Sequence, residues 1–297
     1  LFRDLTISYC QSCGIGFTQP ECSRSSINRF YSESYRRPGS PHYLAFHNME
    51  RPILPHEHSL SQLLLAQQYV GMSPRDLFLD IGAGSGASFS SASMLLDEPE
   101  LCAIERNKGA SEAFDRLYRA STVLELGEVV EWHGRPKLVL ASHSLEHFQI
   151  SELIPFLTQL KECLSKDGIV VAEVPHVDLR RHTSVRAEDA PHLLFFSRLS
   201  LQMAFELAGF EILFLDTCGP RYGHAVGREG LGGGGSVQRA SVSFRGLVRS
   251  CWGLLPAWCR KRLSGVCVRI GIRRVNASLA LTTYGSEDGS WLRVVAR

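Results

Sequence analysis

The sequence predicts an α/β fold, a mostly parallel sheet with helices on both faces, and three observations predict it. A short apolar run, Leu77-Phe-Leu-Asp-Ile81, is followed at once by Gly82, Gly84 and Gly86, then by a helical pattern from Ala87 to Leu96. Buried strand, glycine turn and helix start together make a nucleotide-binding unit. A second apolar run, Glu100 to Glu105, ends in an acid nineteen residues past Gly86, the spacing at which a carboxylate meets ribose hydroxyls. Strand and helix patterns then alternate as far as Val174, a regularity that an accidental glycine loop would not bring with it.

Cys10-Gln-Ser-Cys13-Gly places two thiolates on a tight turn, half of a zinc knuckle. A structural zinc site needs four ligands. Cys22 offers a third and no fourth follows, so Cys10 and Cys13 are metal candidates only, and a turn without zinc is the expectation. In His56-Glu-His58 the two imidazoles alternate. On a helix they point to different faces and do not converge on one ion, so we expect a solvated helix start. Ser61 to Val70 reads as a helix leading into the first strand.

The glycine loop has two readings. Gly82-x-Gly84-x-x-Ala87 also fits the dinucleotide fingerprint. Asp80 adds information, because a carboxylate at the end of the strand can hold the loop or face a cationic group. Beyond Glu105, Ser111 to Arg119 reads as a helix and Ser121 to Leu126 as a third strand, which puts Leu126 to Glu128 beside an adenine pocket by position. Pro136 to His143 is a fourth strand; Ser142 and His143 stand at its end, where open α/β sheets bind ligands. Ser144-Leu-Glu-His147 follows. Ser151 to Leu164 is an amphipathic helix, Ser165-Lys-Asp-Gly168 a turn and Ile169 to Val174 a fifth strand. Helix Leu199 to Ala208 and strand Gly209 to Asp216 come next, and Trp291 to Arg297 is a last strand.

Between them the pattern breaks. Residues 227–236 are glycine-rich and read as a linker. From Arg221 to Val275 there are 11 Lys or Arg and one acid, Glu229. Three readings of the stretch 241–275 stay open: a packed amphipathic insert, peripheral attachment to an anionic membrane, or a lid that attracts a phosphorylated substrate or a partner. The expected division is therefore an N-terminal segment 1–50, a nucleotide-binding domain of 51–218 plus 291–297, and an insert 219–290.

Composition sets outer limits. With 297 residues, 44% hydrophobic and 21% charged, the chain is globular. A net charge of +2 gives no case for nucleic-acid binding. No apolar run reaches the 18 residues of a membrane span. The first residues are not a signal peptide, and a start at Leu1 rather than Met leaves room for an upstream segment. Nine cysteines, odd in number and irregular in spacing, suit a reducing, cytoplasmic compartment.

Asp80-x-Gly82-x-Gly84-x-Gly86 resembles motif I of the class I S-adenosylmethionine-dependent methyltransferases. Ala141-Ser-His143-Ser-Leu-Glu146-His147-Phe resembles the segment after the fourth strand in one subgroup, and Tyr9-Cys-x-x-Cys-Gly with Phe30-Tyr-Ser-Glu-Ser-Tyr35 resembles that subgroup's N-terminal region. Its members include sugar C-methyltransferases. The resemblance implies a Rossmann-like class I methyltransferase fold, a seven-stranded, mostly parallel sheet with an antiparallel last strand. It implies S-adenosyl-L-methionine as cofactor, with Asp80, Gly82, Gly84 and Gly86 at its methionine part and Glu105 at its ribose. Leu126 and Ser142 would line the pocket and Tyr35 would cover it. His147 is then the first candidate base, since an imidazole titrates near neutrality. Glu146, His143 and His192 are its companions. The subgroup carries Tyr-x-Glu-His where this chain has Asp189-Ala-Pro-His192, which weakens the sugar reading. A nucleotide sugar or glycan precursor, or another small molecule, is the expected acceptor. Two other classes stay open: a nicotinamide-dependent oxidoreductase and a non-catalytic membrane-associated binding protein.

Overall fold

A computed structural model describes residues 5–35, 38, 45–180, 192–221 and 289–297. The glycine-rich run 227–236, the basic stretch 241–275 and residues 189–191 lie outside them. In chain order the elements are β1 (Thr6–Tyr9), β2 (Gly16–Gln19), α1 (Arg24–Arg29), α2 (Glu57–Ala66), β3 (Leu77–Ile81), α3 (Ala87–Leu95), β4 (Glu100–Ile104), α4 (Lys108–Tyr118), β5 (Ser121–Val123), α5 (Leu126–His133), β6 (Leu138–Ser142), α6 (Ile150–Cys163), β7 (Ile169–Pro175), β8 (Leu194–Phe195), α7 (Arg198–Leu207), β9 (Ile212–Arg221) and β10 (Gly289–Ala296).

Seven strands form one sheet in the order β5-β4-β3-β6-β7-β10-β9. β3 pairs in parallel with β4 and with β6, and β6 with β7. β10 is antiparallel to β7, with Arg293 opposite Glu173. Glu211 and Arg297 exchange both backbone hydrogen bonds, 2.7 and 2.9 Å, the mark of an antiparallel pair between β9 and β10. The expected seven-stranded sheet with its reversed last strand is what the chain forms. Because β4 and β6 flank β3 on opposite sides, the order reverses there, and the crevice at the carboxyl ends of β3 and β6 is where such sheets take ligands.

Alternation along the strands builds two cores. Leu77, Leu79 and Ile81 of β3 join Leu153, Leu157 and Leu160 of α6 on one face. Phe78 joins Phe89 of α3 and Phe114 of α4 on the other. A separate three-stranded sheet, β1-β2-β8, ties the N-terminal segment to residues just past His192. No helix among the described residues is long and apolar enough to cross a membrane.

Some expectations were displaced. The third strand ends at Val123, not Leu126, and a helix follows that the apolar run hides. Its start is fixed by a capping box, in which Glu128 accepts from the backbone of Glu125 at 3.1 Å, so local capping overrides an apolar pattern that also suits a strand. The helix read over Ser61 to Val70 begins at Glu57, capped by the His56 ring, and stops at Ala66. The sixth strand starts three residues later than read, at Ile212.

Candidate active site

Gly82, Gly84 and Gly86 all have positive φ, +76°, +63° and +78°, a backbone region that side chains disfavour. Space enforces the same choice. A Cβ on Gly82 would sit 3.1 Å from the Ser144 Cβ, and one on Gly86 would sit 2.8 Å from the Tyr118 ring. At these three positions the loop is therefore bare backbone. Glu105 binds it from the neighbouring strand: its carboxylate accepts from the Gly84 N–H at 3.3 Å and the Asn107 N–H at 3.0 Å.

Asp80 is buried beneath the loop and accepts a hydrogen bond from the Ser88 hydroxyl on α3. Burial pushes its carboxyl up to about 7; the Ser88 bond pulls the other way and the Glu105 charge adds to the rise. An unfolded aspartate titrates near pH 3.9. Between the two values the native chain keeps a proton that the unfolded chain has lost. Asp80 therefore favours the fold most below about pH 4, and that contribution falls as pH rises toward 7. Urea denaturation of the Asp80→Asn chain is expected to show a flatter stability profile over this window, wild type losing up to about 1.4 kcal/mol per pH unit from this group.

At the end of β6 the chain turns through His143, a non-glycine residue at φ +52°. Its Nδ1 lies 3.3 Å from Glu146 Oε1 and its Nε2 lies 3.4 Å from Glu173 Oε1 on β7. Burial lowers the affinity of the imidazole for a proton, but the two carboxylates outweigh it and bring its pKa to about 9. Glu146 is 1% exposed. Burial alone would raise its pKa, yet His143, His147 and His192 hold it below the usual carboxylate range. His192, carried in by the strand-end loop before β8, packs its ring 5.2 Å from that of His147 and its Nε2 3.9 Å from Glu146 Oε1. His147 Nδ1 is 2.8 Å from the Tyr31 hydroxyl, and the rings of Tyr31 and Tyr35 stand edge-on to it at 5.5 and 6.4 Å. Burial raises the Tyr31 phenol far above its ordinary value, with Tyr35 and Glu146 adding to it, so it remains a neutral hydroxyl.

Thus His143, Glu146, His147, His192 and Tyr35 come together, and Asp80, Glu105 and the glycines form a second group under the loop. Ser142 Oγ accepts from Gln62 Nε2 at 2.8 Å. Leu126 starts α5 and is buried in the core beside β3 and β5. Cys10 and Cys13 lie apart from the crevice, on the turn between β1 and β2. Among the described residues no third His, Cys or carboxylate joins them at ligand distance. The Arg180 Nη1 donates to Ser12 O at 3.4 Å on the same turn, and its guanidinium is paired with Asp178.

Five site residues were not found from sequence. Tyr31 has one legible signal, its place one helical turn before Tyr35. Gln62 has none. Glu173 and Arg293 face each other across β7 and β10, and Arg293 Nε donates to Glu173 Oε2 at 2.6 Å. His58, read as part of a solvated helix start, instead turns inward: its Nε2 meets Glu173 Oε1 and its ring packs 5.0 Å from that of Trp291. Local spacing relates His58 only to His56, and the partners that draw it in are more than eighty residues away.

A family model described as a methyltransferase domain matches residues 53–214. The chain belongs to this methyltransferase family. Its sheet order and reversed last strand are those of the class I S-adenosylmethionine-dependent fold. No curated protein matches the methyltransferase in sequence. Solved structures similar to it include a SAM-dependent methyltransferase from Archaeoglobus fulgidus, 13% identical, covering 81% of this chain and 94% of that one, TM-score 0.48. Phosphoethanolamine N-methyltransferase 2 of Haemonchus contortus, in complex with S-adenosyl-L-methionine, is 11% identical and covers 79% of this chain and 51% of that one, TM-score 0.45. The cyclopropane synthase MmaA2 of Mycobacterium tuberculosis is 14% identical over 53% of this chain and 62% of that one, TM-score 0.44.

Proposed function

We propose that this methyltransferase moves a methyl group from S-adenosyl-L-methionine to a small-molecule acceptor, with a sugar or glycan precursor as first choice, and that His147 takes the acceptor's proton. The residues fit the cofactor. The loop that would meet it has glycine at three of its five positions, a Cβ at Gly82 would already crowd Ser144, and the Ser144 hydroxyl is buried there without a hydrogen-bond partner. When bound, the cofactor supplies a methyl group already activated on a sulfonium. What is left to the protein is alignment and the exclusion of water, which contribute several kcal/mol.

The observation that carries the assignment is the setting of His147. With Nδ1 protonated and donating to the Tyr31 hydroxyl oxygen at 2.8 Å, Nε2 is left as the proton acceptor. Nε2 would take the proton of the acceptor's attacking atom, freeing that atom's lone pair for the methyl carbon. Glu146, whose carboxylate already feels the charge of His147, steadies the imidazolium. Tyr35 closes the aromatic side of the pocket. We also propose cofactor contacts at Glu105, Leu126 and Ser142, from their places at strand and helix ends. The basic stretch 241–275 supports peripheral membrane contact by composition alone.

A thermal-shift comparison tests the reading. S-adenosylhomocysteine is expected to raise the melting temperature and NAD to leave it unchanged, after which radiolabelled methyl transfer to a panel of nucleotide sugars screens the acceptor. Stabilisation by NAD and none by S-adenosylhomocysteine overturns it.

A further inference from the structure

Three atoms from three separate parts of the chain converge beside the proposed site: His58 Nε2 from the start of α2, His143 Nε2 from the end of β6 and Glu173 Oε1 from β7. All lie within 4.8 Å of one another, and His143 Nε2 and Glu173 Oε1 are 3.4 Å apart. Ligand bonds of about 2.0–2.2 Å in tetrahedral array place donor atoms about as far apart as His143 Nε2 and Glu173 Oε1; His58 Nε2 stands closer to Glu173 Oε1 than this and would move apart from it to admit an ion. Two of the three, His58 Nε2 and Glu173 Oε1, are buried and stand in direct contact. Glu173 is 0% exposed. Two imidazoles and one carboxylate, drawn from three elements, are thus held around one point.

The surroundings fit the same arrangement. Glu173 Oε2 is fixed by Arg293, whose Nε and Nη2 both reach it at 2.6 Å, so only Oε1 is left to face the cluster. The other nitrogen of His143 lies 3.3 Å from Glu146 Oε1, as an outer carboxylate steadies a metal-bound imidazole. The Trp291 ring packs against both imidazoles, 5.0 Å from that of His58 and 5.9 Å from that of His143. We propose that His58, His143 and Glu173 bind one divalent transition-metal ion, zinc by its donor set of two imidazoles and one carboxylate. Imidazole donors exclude magnesium and calcium as the preferred ion. Three protein ligands leave a fourth position for water or for an oxygen of the acceptor.

The test uses the full chain, stripped with a chelator and reloaded. One equivalent of zinc is expected by mass spectrometry of the dialysed protein, and it is expected to persist in a Cys10→Ser, Cys13→Ser chain. Cobalt(II) loaded into wild type is expected to give visible ligand-field bands without thiolate charge-transfer absorption. His58→Gln is expected to weaken zinc binding by more than about 100-fold, since loss of an outer-shell partner alone costs about 10–100-fold. Zinc that disappears with the two cysteines, or cobalt bands of thiolate character, overturns the proposal, as does unchanged affinity in folded His58→Gln. The cobalt spectrum needs no variant, so it decides the matter even if His58→Gln does not fold. None of these measurements requires the methyl-transfer reading to hold.

Discussion

Gly84→Val is expected to abolish cofactor binding while the chain still folds. Gly84 sits at φ +63° in the middle of the loop, and its N–H reaches the carboxylate of Glu105 at 3.3 Å. A β-branched residue there is strained by about 1–3 kcal/mol. If the loop keeps its shape, the valine fills the space through which the cofactor approaches. If the loop relaxes, Glu105 loses its hold on the turn. Both outcomes lead to the same measurement: affinity for S-adenosylhomocysteine by calorimetry falls by at least about 100-fold, or about 2.7 kcal/mol. Circular dichroism is expected to show the wild-type secondary structure, because Gly84 precedes α3 and packs no core side chain. Unchanged affinity would remove the loop from the cofactor site.

His147→Ala is expected to do the opposite. Turnover falls by about 10²–10⁴-fold, the usual worth of a positioned base, and affinity for S-adenosylhomocysteine stays at the wild-type value. Tyr31→Phe is expected to give a smaller loss, because it removes the hydroxyl that holds His147 Nδ1 and leaves the ring contact in place. The pair of variants separates a base from a brace. A side chain that only held the loop would lower stability and cofactor affinity together. Full turnover by His147→Ala on the true acceptor would take proton removal away from this residue.

Much of the fold could be read from the chain because its signals are local. The glycine loop has to stand between a buried strand and a helix, and Leu77 to Ile81 and Ala87 to Leu95 are those elements. The last strand was legible as a β-branched run at Val294 and Val295 after an interruption. Leu126 shows where local reading fails: an apolar stretch suits strand or helix, and the Glu125–Glu128 capping box decided for the helix. Asp80 was placed at the loop, but the sequence left open whether it faced a ligand or held the turn. Its hydrogen bond from Ser88 ties the end of β3 to the start of α3.

The site was legible only in part. Two histidines and a glutamate at fixed spacing after β6 marked one end of it, and His192 was marked by its own short motif. Tyr31, His58, Gln62, Glu173 and Arg293 carry no spacing relation to that motif. Each reaches it through the packing of a different element: α2 over β7, β10 against β7, the N-terminal segment over the end of β6. Taken alone, the amino-acid sequence determined the strand–glycine–helix unit, most strands of the large sheet and the residues nearest the loop, because those depend on backbone sterics and hydrophobic period over a few residues. Only the tertiary structure decided which distant imidazoles and carboxylates share one buried space, since burying a charge requires a partner, and which partner is within reach is set by how the sheet and helices pack.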